Sequence, residues 1–124
     1  MTQPAPSPAA PLAISLGDPA GIGPEVILGA WMRLRAERRA PPAFVVGGPQ
    51  LLRGLAERLG IDCPIVPIAD PAEAMFAAGA GLPVLAGLDG LSLPGHPAPD
   101  GARLALASLQ WGTKFALSGV AAGL

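Results

Sequence analysis

The sequence predicts an α/β fold, a mainly parallel sheet with flanking helices, on three observations. Apolar runs of strand length alternate with stretches of helical period, the mark of strand-helix-strand units. The 124 residues suit one domain. Hydrophobic residues make up 51% against 14% charged, with a mean hydropathy of +0.49. Such a chain has far more to bury than disordered sequences do, despite 17 glycines and 16 prolines.

The elements follow in order. Residues 1–11, "MTQPAPSPAAP", read as a flexible tail, since they hold neither the basic segment nor the apolar core of a signal peptide. "LAISL" (Leu12 to Leu16) is the first strand. "PEVILGAWMRLRAERR" follows as an amphipathic helix. Ile27, Trp31 and Leu34 recur there at i, i+4 and i+7, with Val26 and Ala30 beside them. Pro24 suits its first position and Glu25 its first turn. "AFVVG" (Ala43 to Gly47) is the second strand, and Pro49 to Leu59 a helix with Leu51, Leu52, Leu55 and Leu59 inward, stopped by Gly60. "PIVPI" (Pro64 to Ile68) is a weaker strand placed at an edge, because Pro67 cannot donate to a ladder. "PVLAGL" (Pro83 to Leu88) is the fourth.

"LSLPGHPAPDGA" reads as a loop, and Asp100 as the N-cap of a last helix running to about Ser118. Leu104, Trp111 and Phe115 line one side of that helix, with Leu106, Leu109 and Leu117 beside them. Arg103, Gln110 and Lys114 make the opposite polar stripe. The closing "VAAGL" looks like the approach to another strand. A domain ending there would leave a wide apolar helix face and a sheet edge uncovered, so the expectation is an incomplete N-terminal part of a longer enzyme.

Charge excludes some partners. Eight basic and nine acidic residues give a net charge of -1, no field for a nucleic-acid backbone or an anionic membrane. The run "RLRAERRA" reads as a solvated helix end whose cations complement the dipole. The longest uncharged run, Ala74 to Leu88, is too short and too broken by glycine and proline to span a bilayer. Cys63 stands alone, which fits a reducing, cytoplasmic setting and a buried thiol.

Chemistry concentrates in "GDPAGIGPEV". A strand, a glycine-rich turn and a helix N-terminus together form a geometry that cradles anions. Gly17, Gly21 and Gly23 permit the turn and close approach of a ligand, while Pro19 and Pro24 stiffen it around Ala20. The order is neither the dinucleotide fingerprint nor a P-loop. A merely tight connection remains an equal reading from spacing alone. Asp18 either touches substrate or cofactor or holds the turn through its side chain. Glu25 is more simply a support of the helix N-terminus than an acid or base.

The wording of "SLGDPAGIGPEV", Ser15 to Val26, resembles the N-terminal signature of the 4-hydroxythreonine-4-phosphate dehydrogenase family. It is also similar to the Gly-Asp-Gly-Ile-Gly-Pro-Glu element of isocitrate and isopropylmalate dehydrogenases. The resemblance is specific in this block and covers about residues 12–124, which it makes the N-terminal part of an α/β dehydrogenase domain.

It implies an enzyme of pyridoxine and pyridoxal phosphate biosynthesis that uses NAD or NADP to oxidise the secondary hydroxyl of 4-phosphooxy-L-threonine. The β-keto acid formed then loses carbon dioxide to give 3-amino-2-oxopropyl phosphate. It also implies a homodimer and a divalent metal (Zn, Mg or Co) held by histidines from both subunits, acting as Lewis acid. Those histidines belong to segments absent here, and His96 does not align with them, so it reads as an ordinary loop residue. The chain alone is then expected to be inactive. Two alternatives stand beside this reading: a non-catalytic phosphate- or nucleotide-binding module, and a chain that persists only through association with another.

Overall fold

The computed structural model describes residues 10–90 and 95–124. Of the expected tail, residues 1–9 fall outside this range, as do residues 91–94 of the expected loop. Pro11 is buried, and its carbonyl accepts a hydrogen bond from Ala122 N–H at 2.8 Å.

The chain forms β1 (Leu12–Ser15), α1 (Gly23–Ala36), β2 (Ala43–Val46), α2 (Pro49–Leu59), β3 (Ile65–Ile68), a 3-10 turn (Pro71–Glu73), α3 (Ala74–Ala77), β4 (Leu82–Leu85) and α4 (Pro99–Ser118). The four strands make one parallel sheet in the order β1-β2-β4-β3. Every residue of the central β2 and β4 is buried, as a sheet covered on both faces requires. Side chains alternate between those faces. Ala43, Val45, Leu82 and Val84 meet Leu28 and Trp31 of α1 and Leu51, Leu52 and Leu55 of α2, whereas Phe44, Val46, Ile68 and Leu85 meet Ala74 of α3 and Phe115 of α4. Pro67 lies exposed on β3, which is an edge strand as expected.

Several elements differ from expectation. The fourth strand starts at Leu82 and stops at Leu85, because Gly87 turns the chain at a φ of 104°. A short helix, α3, precedes it where the sequence shows no helical period. Leu59 is 43% exposed rather than inward, in the last turn before Gly60 closes α2 in a left-handed conformation. Asp100 is not the N-cap of α4. Ala98 holds that position without a side-chain bond, and Asp100 sits in the first turn, 3.6 Å from Arg103.

The buried face of α4 is also different. The helix lays Gly101, Leu104, Ser108 and Gly112 on the sheet, while Leu106, Leu109 and Leu117 are exposed. A Cβ on Gly112 would make an ordinary 3.6 Å contact with Val46 and would press on the Leu124 side chain. Trp111, 38% exposed, packs edge-on against Phe115, which meets Phe44 in the same manner.

After α4 the chain turns back along the outer edge of β1. Gly123 pairs with Leu12 in parallel, and its carbonyl accepts from Ala13 N–H at 2.9 Å. The closing residues, where the sequence suggests the approach to another strand, make this one parallel bridge and no strand. The basic run ends α1 in solvent, with exposed ion pairs from Glu37 to Arg33 and Arg39. Such pairs contribute little.

Candidate functional site

All four strands run the same way, so the segments after β1, β2 and β4 gather at one end of the sheet, the carboxyl end at which open α/β folds bind ligands. The first segment is the glycine-proline loop. Gly17 leaves β1 at a φ of 76°, a left-handed conformation that glycine takes without strain. Asp18 is exposed, and its Oδ1 accepts from Ala20 N–H at 2.9 Å, while its carbonyl accepts from Gly21 N–H at 2.9 Å. The carboxylate therefore holds the turn. Pro19 and Ala20 are buried beneath it, and the Ala20 carbonyl accepts from Gly95 N–H at 2.7 Å.

Gly23 opens α1 so close to β1 that a Cβ would stand 3.0 Å from the Leu16 carbonyl. Pro24 is buried in the first turn, and Glu25 is exposed beside it. The loop thus brings Gly17, Asp18, Pro19, Ala20, Gly21, Gly23 and Glu25 together at the start of α1. Gly17 is accounted for by its backbone angle and Gly23 by its packing. Gly21 is the loop glycine that neither constraint demands: it is exposed, and a Cβ there would make an ordinary 3.4 Å contact.

The second and third segments are joined to each other. Gly48 N–H donates to the Leu88 carbonyl at 2.7 Å. Asp89 then caps α2 from across the sheet, accepting from Gln50 N–H at 2.9 Å and Leu51 N–H at 3.3 Å. A carboxylate there satisfies two helix-end donors and complements the dipole. At the N-terminus of α1, in contrast, no side chain among the described residues accepts from the first turn. Its first-turn N–H groups face the same end of the sheet, the geometry that favours a phosphate or carboxylate.

Ser108 is the functional support the sequence did not reveal. It is fully buried in α4, and its hydroxyl accepts from Leu16 N–H at 2.9 Å, at the residue before Gly17. It ties the last helix to the root of the loop. A small polar residue between Leu104 and Gly112 was the available signal.

The residues present do not suit a metal. Among the described residues no three His, Cys, Asp or Glu side chains come together. His96 is exposed. Cys63 is buried before β3, at the opposite end of the strands, and its thiol is pushed above its ordinary value chiefly by burial, with Arg35 acting against and Asp62 with the shift. What the loop can do is hold an anionic group, position it and shield one side.

A parallel sheet with a glycine-rich loop and a helix start at its carboxyl end defines the class: an open α/β unit with its candidate site at the strand ends. Known proteins narrow it. A 4-hydroxythreonine-4-phosphate dehydrogenase from Erythrobacter litoralis (strain HTCC2594) is 53% identical over 117 residues, 94% of this chain and 34% of that protein. One from Methylorubrum populi is 45% identical over 94 residues, 75% of this chain and 26% of that protein. A crystal structure of a 4-hydroxythreonine-4-phosphate dehydrogenase from Burkholderia phymatum superposes with a TM-score of 0.75 at 24% identity, covering 90% of this chain and 34% of the other, which shows the fold. No family model matches the chain. The chain belongs with the N-terminal part of the 4-hydroxythreonine-4-phosphate dehydrogenase family. It spans about a third of the length of these relatives.

Proposed function

We propose that this chain is the loop-bearing N-terminal portion of an NAD- or NADP-dependent dehydrogenase that oxidises 4-phosphooxy-L-threonine to a β-keto acid, which decarboxylates to 3-amino-2-oxopropyl phosphate. The observation that carries this reading is the 53% identity to a 4-hydroxythreonine-4-phosphate dehydrogenase across nearly the whole chain. In this reading the uncapped start of α1 faces an anionic group of substrate or cofactor, and Gly21 lets that group approach the backbone. Asp18 keeps the turn in shape. Glu25 supports the helix end.

The divalent metal, the histidines that hold it and the second subunit of a homodimer belong to the remaining length of the family, so these residues alone are inactive. The net charge of -1 supports neither nucleic acid nor membrane as partner, and among the described residues no helix is long and apolar enough to cross a membrane. The lone cysteine supports a reducing, cytoplasmic setting.

The test is a chimera that joins these 124 residues to the part of the Erythrobacter litoralis relative beyond the match. Reduction of NAD or NADP with 4-phosphooxy-L-threonine and a divalent metal is expected for the chimera and absent for the 124-residue chain. A folded chimera without turnover would remove the dehydrogenase reading. Stabilisation of the 124-residue chain by inorganic phosphate, with no turnover in the chimera, would favour a non-catalytic binding module instead.

A further inference from the structure

α3 and the segment after α4 cover the same face of the sheet, and a groove of about 380 Å³ lies between them. Met75 of α3 lines it from one element and Val120 from the other, while Ala10 and Pro11 complete the wall. Met75 is 50% exposed and Val120 43%, so two large apolar side chains meet water here. Covering them is favourable. The ionisable group among the lining residues, Asp70, has an oxygen already engaged by Ala72 N–H at 2.8 Å.

The chain itself enters at this place. Pro11 is buried, its carbonyl holds Ala122 N–H, and Leu12 N–H donates to the Pro42 carbonyl at 2.8 Å, so Ala10 is pinned at the groove. The residues before it, "MTQPAPSPA", carry no charged side chain and place proline at positions 4, 6 and 8. Proline at such spacing favours the extended polyproline II helix, which is preformed, loses little freedom on docking and suits apolar grooves.

We infer that Pro4 to Ala9 lie in this groove as a polyproline II segment, with proline rings against Met75 and Val120. Three arguments select this occupant. The segment starts at the groove, so its effective concentration there exceeds that of a separate molecule. At about 3.1 Å per residue, six residues reach roughly 19 Å, ample for a cavity of this size. And small uncharged side chains match a wall whose carboxylate is taken up by its own turn. The inference is independent of the dehydrogenase reading, and it departs from the flexible tail that composition alone suggests.

The test is nuclear magnetic resonance on the 124-residue chain. The Ser7 and Ala9 amides are expected to show order parameters near ~0.85, the rigid-backbone value, and the Met75 methyl group to show cross-peaks to the ring protons of Pro6 or Pro8. Pro6→Asp, in the segment itself, and Val120→Asp, in the wall, are each expected to bring those order parameters below about 0.6. Deleting residues 2–9 is expected to lower the thermal midpoint by about 2–4 °C in the parent and by less than about 1 °C beside Val120→Asp.

Order parameters below about 0.6 in the parent overturn the inference, as does order that survives Pro6→Asp. An equal midpoint change with and without Val120→Asp overturns it too. A Met75 resonance that moves with protein concentration would give the groove to a second copy instead. Loss of Ser7 order in the chimera, with the Met75 methyl still covered, would give it to the family's further length, and either result removes the tail as occupant.

Discussion

Replacing Ser108 by alanine tests how the loop is anchored. The hydroxyl is fully buried and accepts from Leu16 N–H at 2.9 Å. Alanine fits the space, so packing changes little, but it leaves a buried backbone donor without a partner. That costs about 1–3 kcal/mol. Unfolding entropy near ~2.1 cal/mol/K per residue, taken over a chain of this size, makes each kcal/mol worth about 4 °C of thermal midpoint. The expected fall is therefore roughly 4–12 °C by calorimetry or circular dichroism. Amide exchange at Leu16 should speed up, because the lost acceptor is its own. Leu109→Ala, one residue along but 48% exposed, is the control and should stay within about 0.5 kcal/mol of the parent. A Ser108→Ala midpoint within about 1 °C of the parent, with Leu16 exchange unchanged, would refute the anchoring argument.

Asp89→Ala removes the carboxylate that caps α2 and should cost about 0.5–2 kcal/mol, while Asp89→Asn, which keeps an acceptor oxygen, should recover much of it; chemical denaturation of the three proteins reads the ordering. Two glycine substitutions should part company. A Cβ on Gly81 runs into the Pro64 carbonyl, a backbone group that cannot move aside, so Gly81→Ala should cost more than about 2 kcal/mol or prevent folding. A Cβ on Gly112 meets mainly the Leu124 side chain at 2.6 Å, which can swing into solvent, so Gly112→Ala should cost about 1 kcal/mol or less. Cys63 gives a pH dependence. Its folded thiol is raised above the unfolded one chiefly by burial, so its contribution to stability is complete below the unfolded value and is lost as pH rises from there through the folded one. Cys63→Ala should remove that alkaline decline, measured as the difference between the two denaturation midpoints across pH.

The fold was largely legible because its signals are local. Alternating apolar runs marked four strands, and Pro67 placed the third at an edge, since a missing N–H has one physical consequence in a ladder. Gly60 and Gly119 close their helices as left-handed residues, at positions where the sequence shows the periodicity ending. Legibility failed where two segments distant in sequence decide the outcome. α3 has too few residues to show a period, and Ala74 is drawn inward by Phe44 and Leu85 on the sheet. In α4 the apolar count favoured Leu106, Leu109 and Leu117, but the side that is buried carries Gly101, Leu104, Ser108 and Gly112. Asp89 and Ser108 satisfy backbone groups 38 and 92 residues away. No spacing rule reaches that far. Within the loop, the reason for two of its glycines is the turn and the packing of α1 on β1.

That leaves Gly21 to decide whether the loop is more than a tight connection. A Cβ there meets the Asp18 carbonyl at 3.4 Å, an ordinary contact, and the residue has no left-handed backbone angle. Gly21→Ala should therefore fold with a midpoint close to that of the parent, unlike a substitution at Gly17, where the φ of 76° would be strained by any side chain. If an anionic group reaches the backbone at the start of α1, the added methyl stands in its path. Turnover of the chimera should then fall by about tenfold or more, the rate equivalent of ~1.4 kcal/mol. Full activity with an unchanged midpoint would mean that the turn needs no ligand to explain it, since every remaining glycine in the loop already has a structural cause.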